Sequence, residues 1–126
     1  MPMLMKLSLS HNPLGNQGVA ALAAPLRKLP ALTKLLLTQN GIGDEGVASL
    51  FANLGKDDFK ALEHLWLGYN QITDAGMATL VAALDAGRLP RLLNDQEDDK
   101  RNFVKHNRAS ASAVQAVEDA LAKRSQ

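Results

Sequence analysis

Gly41-Ile42-Gly43-Asp44-Glu45-Gly46 spells GxGxxG, the spacing with which a turn between strand and helix can bring backbone N–H groups against a pyrophosphate. Its counterparts in two other segments, PLGNQG at 13–18 and QITDAG at 71–76, keep only the last glycine. Asp44 and Glu45 also place negative charge where a phosphate needs a positive helix end. Asp95, Glu97 and Asp99 imitate the alternating oxygen ligands of a calcium loop, but the loop glycine and terminal glutamate are missing and Lys100 and Arg101 follow. A solvated charge run explains them better. His11, His64 and His106 have neither an HExxH nor an i, i+4 partner. The serines stand in no GxSxG elbow. With no cysteine, thiolate metal sites, disulfides and a cysteine nucleophile are excluded together. The expectation is a chain without enzymatic activity, cofactor or metal.

The residues around these candidates explain why the motifs arise. Of 126 residues, 22 are leucine, and shifting the sequence by 28 to 30 positions superposes Leu4–Leu26, Leu32–Leu54 and Leu62–Leu84. Each reads L-x-x-L-x-L-x-x-N-x-[LI]-x-x-x-G-[VM]-A-x-L-x-x-x-L. Leu7 and Leu9, Leu35 and Leu37, and Leu65 and Leu67 alternate at period two, which predicts a short strand with one buried face. Val19, Leu22 and Leu26, then Val47, Leu50 and Leu54, then Met77, Leu80 and Leu84, follow i, i+3, i+7, the core stripe of a helix. A strand–turn–helix unit repeated in register builds a parallel sheet with helices outside it. The two extra residues of the second spacing fall in the polar stretch GKDDFKA, expected to be a loop.

Asn12, Asn40 and Asn70 mark the strand ends, where an amide can donate to and accept from backbone groups that have lost their ladder partners. Gly18, Gly46 and Gly76 begin the helices, and their missing side chains are expected to let helix pack closely on sheet. Thr73 and Asp74 suit a helix start, the hydroxyl as cap and the carboxylate toward the dipole.

This pattern, LxxLxLxxN followed by a G-V-x-x-L helix, resembles the leucine-rich repeat of the ribonuclease-inhibitor type, and covers residues 4 to 84, about two thirds of the chain. The resemblance implies an α/β solenoid, a horseshoe segment with parallel strands on its concave face and helices on its convex face. It also implies protein binding through the concave face. The ribonuclease inhibitors themselves are long and cysteine-rich, unlike this chain. A similar repeat occurs in the longer Ran GTPase-activating proteins, so a regulatory module of an enzyme such as a GTPase stands as an alternative. No arginine here can be matched to a catalytic role.

After Leu84 the next unit should open at Leu92, yet Asp95, Glu97 and Lys100 stand where two leucines and an asparagine belong. Asn107, Ala113, Val117 and Leu121 restore a partial match. Residues 1–91 are therefore read as three repeats, and 92–126 as a degenerate fourth with an irregular insertion at 93–106 and a capping helix over 109–124. The first strand is expected to present an open edge carrying Leu7 and Leu9, through which the chain could self-associate, as a structural unit or as a piece of a longer horseshoe.

Between the inward leucines, alternate residues must point out of the sheet: Lys6, Ser8 and Ser10; Lys34, Leu36 and Thr38; His64, Trp66 and Gly68, with His11, Gln39 and Tyr69 at the strand ends. Trp66 and Tyr69, the one Trp and the one Tyr of the chain, fall within four residues. Aromatic anchors dominate interface energetics, so Trp66, Tyr69, His64, Leu36, Lys34, Lys6, Ser8, Thr38 and Gln39 form the expected site for a protein partner. A formal charge of +1 gives no bulk attraction to nucleic acid or anionic membranes. No small-molecule pocket is indicated. The opening MPMLMKLSLS lacks a long apolar h-region, and the absence of cysteine suits a reducing compartment, so a cytoplasmic address is expected.

Overall fold

A computed structural model describes residues 4–92, 104 and 106–124. The elements are β1 (Lys6–Ser8), α1 (Gly15–Arg27), β2 (Lys34–Leu36), α2 (Asp44–Phe51), β3 (His64–Trp66), α3 (Asp74–Asp85) and α4 (Ala111–Arg124). The strands form one parallel sheet in the order β1-β2-β3. Register is set repeat on repeat: Lys6, Lys34 and His64 are paired neighbours, then Leu7, Leu35 and Leu65, then Ser8, Leu36 and Trp66. Each helix packs on the next in chain order. This is a short α/β leucine-rich solenoid with strands on the inner face and helices on the outer.

The period-two leucines fill the space between the layers, since Leu35, Leu37, Leu65 and Leu67 are buried, as are Val47, Leu50, Met77, Leu80 and Leu84 from the helices. Leu7 and Leu9 of the first unit are only half-buried. Among the described strands β1 has a single neighbour.

Two expectations about the helices require correction. Helix α2 is short, ending at Phe51, because Ala52 turns extended and Asn53 takes a left-handed conformation (φ 57°). Leu54 is buried from the connection instead of from the helix. GKDDFKA is likewise no mere polar loop. Phe59 is 1% exposed and its ring lies 5.6 Å from that of Phe51. The buried Asp58 accepts from Lys28 Nζ at 2.6 Å and from Gly55 N at 2.9 Å, with Arg27 Nε 3.5 Å away. Extra length after α2 thus supplies an aromatic to the core and an ionic tie to the end of α1.

The repeat glycines have a different reason from helix–sheet contact. A Cβ on Gly46 would stand 2.8 Å from both Asn16 Oδ1 and Ile42 Cγ2, and one on Gly76 would stand 2.5 Å from Ile72 Cγ2 and 2.6 Å from Asp44 Oδ1. What crowds them is an isoleucine of their own repeat and a polar side chain of the preceding one. Asn16 Oδ1 accepts from Gly43 N (2.7 Å) and Gly46 N (2.9 Å). Asp44 Oδ1 accepts from Thr73 N (2.8 Å) and Gly76 N (3.0 Å), while its Oδ2 accepts from the Thr73 hydroxyl. Asp74 does the same for Ser110, through N at 2.6 Å and Oγ at 3.0 Å. Each unit therefore caps the helix start of the next, supplying acceptors to N–H groups that the helix cannot satisfy itself. Thr73 accepts from Ala75 N at a long 3.4 Å, so its local cap is weak beside its donation to Asp44. Asp74 stands in the first turn of α3 as expected, and its carboxylate also serves the following helix start.

Candidate binding face

The asparagine column is a true ladder, and it holds the sheet's outlet edge rigid. Asn70 Oδ1 accepts from Asn40 N (2.8 Å) and Ile42 N (3.0 Å), and Asn70 Nδ2 donates to the carbonyls of Leu37 and Leu67, both at 2.9 Å, and of Gly68 at 3.2 Å. Asn107 reproduces this one unit on, accepting from Ile72 N and donating to Leu67 O and Val104 O. At the first rung the exposed Asn12 reaches only Leu9 O and Ser10 O. Asn40 Oδ1, although buried, has no partner among the described residues.

One residue before each ladder asparagine stands a side chain on left-handed backbone: His11 (φ 64°), Gln39 (57°), Tyr69 (57°) and His106 (62°). None is glycine, so each carries conformational cost that its surroundings must offset. Four consecutive units thereby turn a polar or aromatic group outward along one edge. His11 Nδ1 donates to Gln39 Oε1 at 2.9 Å. Tyr69 and His106 stack face to face, centroids 4.3 Å apart and planes within 10°. Sequence reasoning placed His11, Gln39 and Tyr69 at the strand ends but missed His106, although its position immediately before Asn107 was the available signal.

The inner face is built as expected in its columns but not in its exposure. Lys6, Ser8 and Lys34 are exposed, as are Gln39 and Tyr69, the latter at 44%. Leu36 and Thr38, expected to stand free, are buried at 7% and 5%. On the middle strand of a curved sheet a side chain is crowded from both sides, and Leu36 has Ser8 and Trp66 as registered neighbours. His64 and Trp66 are half-buried, and both already take part in interactions within the chain. Leu36, Thr38, Gln39, Trp66 and Tyr69 meet Ser8, Ser10 and His11 around one cleft of about 530 Å³. Lys6, Lys34 and His64 lie along one end of the strands, outside it. Thr38 N accepts nothing but donates to Ser10 Oγ at 3.1 Å, whereas Thr38 Oγ1 has no partner among the described residues.

The GxGxxG turn is committed elsewhere: the Gly43 and Gly46 amides that would face a phosphate are bonded to Asn16. Asp95, Glu97 and Asp99 lie outside the described residues, as does the expected insertion apart from Val104 and His106. Among the described residues, no three His, Cys, Asp or Glu side chains are grouped as metal ligands.

A parallel sheet of registered repeats, with helix starts capped unit to unit, defines a leucine-rich solenoid. The chain belongs to the leucine-rich-repeat family, whose model, described as Leucine Rich repeat, matches residues 1–23, 28–51 and 61–81. No curated protein matches it significantly. Leucine-rich repeats generally mediate protein–protein interaction, and the family typically serves as a binding module without catalysis.

Proposed function

We propose that this chain is a protein–protein interaction module that binds its partner with the concave sheet face, needs no cofactor and performs no catalysis, in the ribonuclease-inhibitor-like branch of its family. The observation that carries the reading is the cleft where Leu36, Trp66 and Tyr69 meet the polar side chains of Ser8, Ser10, His11, Thr38 and Gln39. Trp and Tyr are the side chains on which interface energy concentrates. Residues 92–126 act in this reading as a degenerate closing repeat, with α4 presenting Ser112, Gln115, Asp119 and Lys123 to water. The test is capture by the immobilised chain, followed by titration of a captured protein against wild type and Trp66→Ala. Binding weakened at least about tenfold is expected, in a variant that stays folded and loses no more than about 1–2 kcal/mol of stability in a denaturant melt; equal binding would refute the assignment.

A second reading, self-association, draws on Leu7 and Leu9, which stay half-buried where their equivalents in the next two units are closed off. A second copy laid against β1 would complete their burial. Sedimentation at roughly 100 μM distinguishes the two, a strictly monomeric mass eliminating the second.

A further inference from the structure

We infer that the partner segment taken by the concave face is acidic, with an apolar side chain beside its carboxylates; this rests on the concave-face reading above and specifies what the face selects. Lys6 and Lys34 are exposed and directly opposite one another in the parallel register. Neither has an ion-pair partner among the described residues. Two like charges on adjacent strands, about 4.8 Å apart at the backbone, oppose each other until an anion lies between them. None of the outward positions of the three strands or of the strand-end column is Asp or Glu. The acid nearest in sequence, Glu63, precedes β3. Asp44 and Asp74, the carboxylates nearest the opposite end of the sheet, are bound in helix caps.

The same face supplies the second half of the specificity. Two residues along β2 from Lys34, about 6.6 Å away, Leu36 opens the cleft with its registered neighbour Trp66 of β3. The cleft's volume of about 530 Å³ admits a leucine- or phenylalanine-sized side chain. A segment alternating carboxylate and apolar residue satisfies both features at once. A basic segment would be repelled by the lysines, and a neutral one would leave them uncompensated.

The probe is a library of random dodecapeptides selected on the full chain, with the emission of Trp66, the chain's one tryptophan, reporting occupancy of the cleft. Selected peptides rich in Asp and Glu around one large apolar residue are expected, their affinity falling about tenfold or more as salt rises from low to several-fold physiological levels. The double variant Lys6→Glu/Lys34→Glu, checked for an unchanged melt, should then select Lys- and Arg-rich peptides. Enrichment of neutral or basic sequences on the wild type, no enrichment at all, or an unaltered preference in the double variant overturns the acidic assignment. If such peptides still lose binding in Trp66→Ala, the concave-face reading survives that failure; if neither substitution matters, both readings fall.

Discussion

Replacing Asn70 by Ala removes a side chain that makes five hydrogen bonds, all between buried groups of adjacent repeats or within its own turn. The amides of Asn40 and Ile42 lose their acceptor, and the carbonyls of Leu37, Leu67 and Gly68 lose a donor. Asn40 and Ile42 are 1% and 0% exposed, so solvent cannot replace the acceptor without opening the turn. Two stranded N–H groups at about 1–3 kcal/mol each, softened by local relaxation, give a loss of about 3–5 kcal/mol. That is a large share of the roughly 5–15 kcal/mol by which a domain of ordinary size is stable. Asn12 provides the internal control: exposed, bonded only to Leu9 O and Ser10 O, it should cost about 0.5–1 kcal/mol as Ala. Urea titrations followed by circular dichroism measure the difference, and amide exchange should show the Ile42 N–H losing protection in Asn70→Ala. Equal destabilisation by the two substitutions would refute the ladder as the energetic spine of the turns.

Leu65→Ala should cost about 2–5 kcal/mol by cavity formation, whereas Trp66→Ala, half-buried on the opposite face, should cost about 1–2 kcal/mol, in paired denaturant melts. Gly76→Ala brings a methyl within 2.6 Å of Asp44 Oδ1 and should lower stability by about 1–3 kcal/mol despite its better helix propensity. At Gly18 the nearest atom is Leu14 Cβ at 3.2 Å, and the same substitution should fall within about 1 kcal/mol of neutral. The Lys28 hydrogen bond, aided by the Gly55 amide, holds the Asp58 carboxyl below its usual range. Its contribution is therefore complete above about pH 4 and lost as pH falls through the depressed native value. Asp58→Asn should melt lower than wild type near neutrality, by about 1–2 kcal/mol, with the gap narrowing below pH 4; a gap independent of pH would show that charge is not what matters there.

The spacing of leucines made the layers legible, because a period of two and a run of i, i+3, i+7 each leave one way to bury a face. Asn40 and Asn70 could be placed for the same local reason. Asp44 and Asn16 could not: their bonds go to helix starts 27 to 32 residues away, and neither period marks such a cross-repeat contact. Asp44 and Asp74 appeared only as charges near their own helices. The length of α2 escaped prediction because Leu54 keeps the helical spacing while Asn53 breaks the helix by backbone conformation. Around the candidate binding face, side-chain direction followed from alternation, but exposure did not. Leu36 and Thr38 point outward and are still covered, since curvature and neighbours on both strands decide accessibility. The stacking of Tyr69 on His106 needed a register across 37 positions that the interrupted fourth unit obscures.

The two polar columns also divide the labour between holding the sheet and presenting it. On the helix side, Asn16, Asp44 and Asp74 spend their oxygen atoms on the amides of the next unit, so the negative charge of the repeats is consumed at helix starts where the dipole favours it. On the strand side, the asparagines satisfy turn amides with a neutral group, and no outward position of the three strands carries a carboxylate. Lys6 and Lys34 therefore stand opposite each other without a compensating acid among the described residues. A net charge of +1 does not reveal this local excess of positive charge. Selectivity for an acidic segment thus follows from where the caps put their charge, and moving one carboxylate to the inner face, as in Ser8→Asp beside Lys6 and Lys34, should weaken acidic peptides without touching either column of caps.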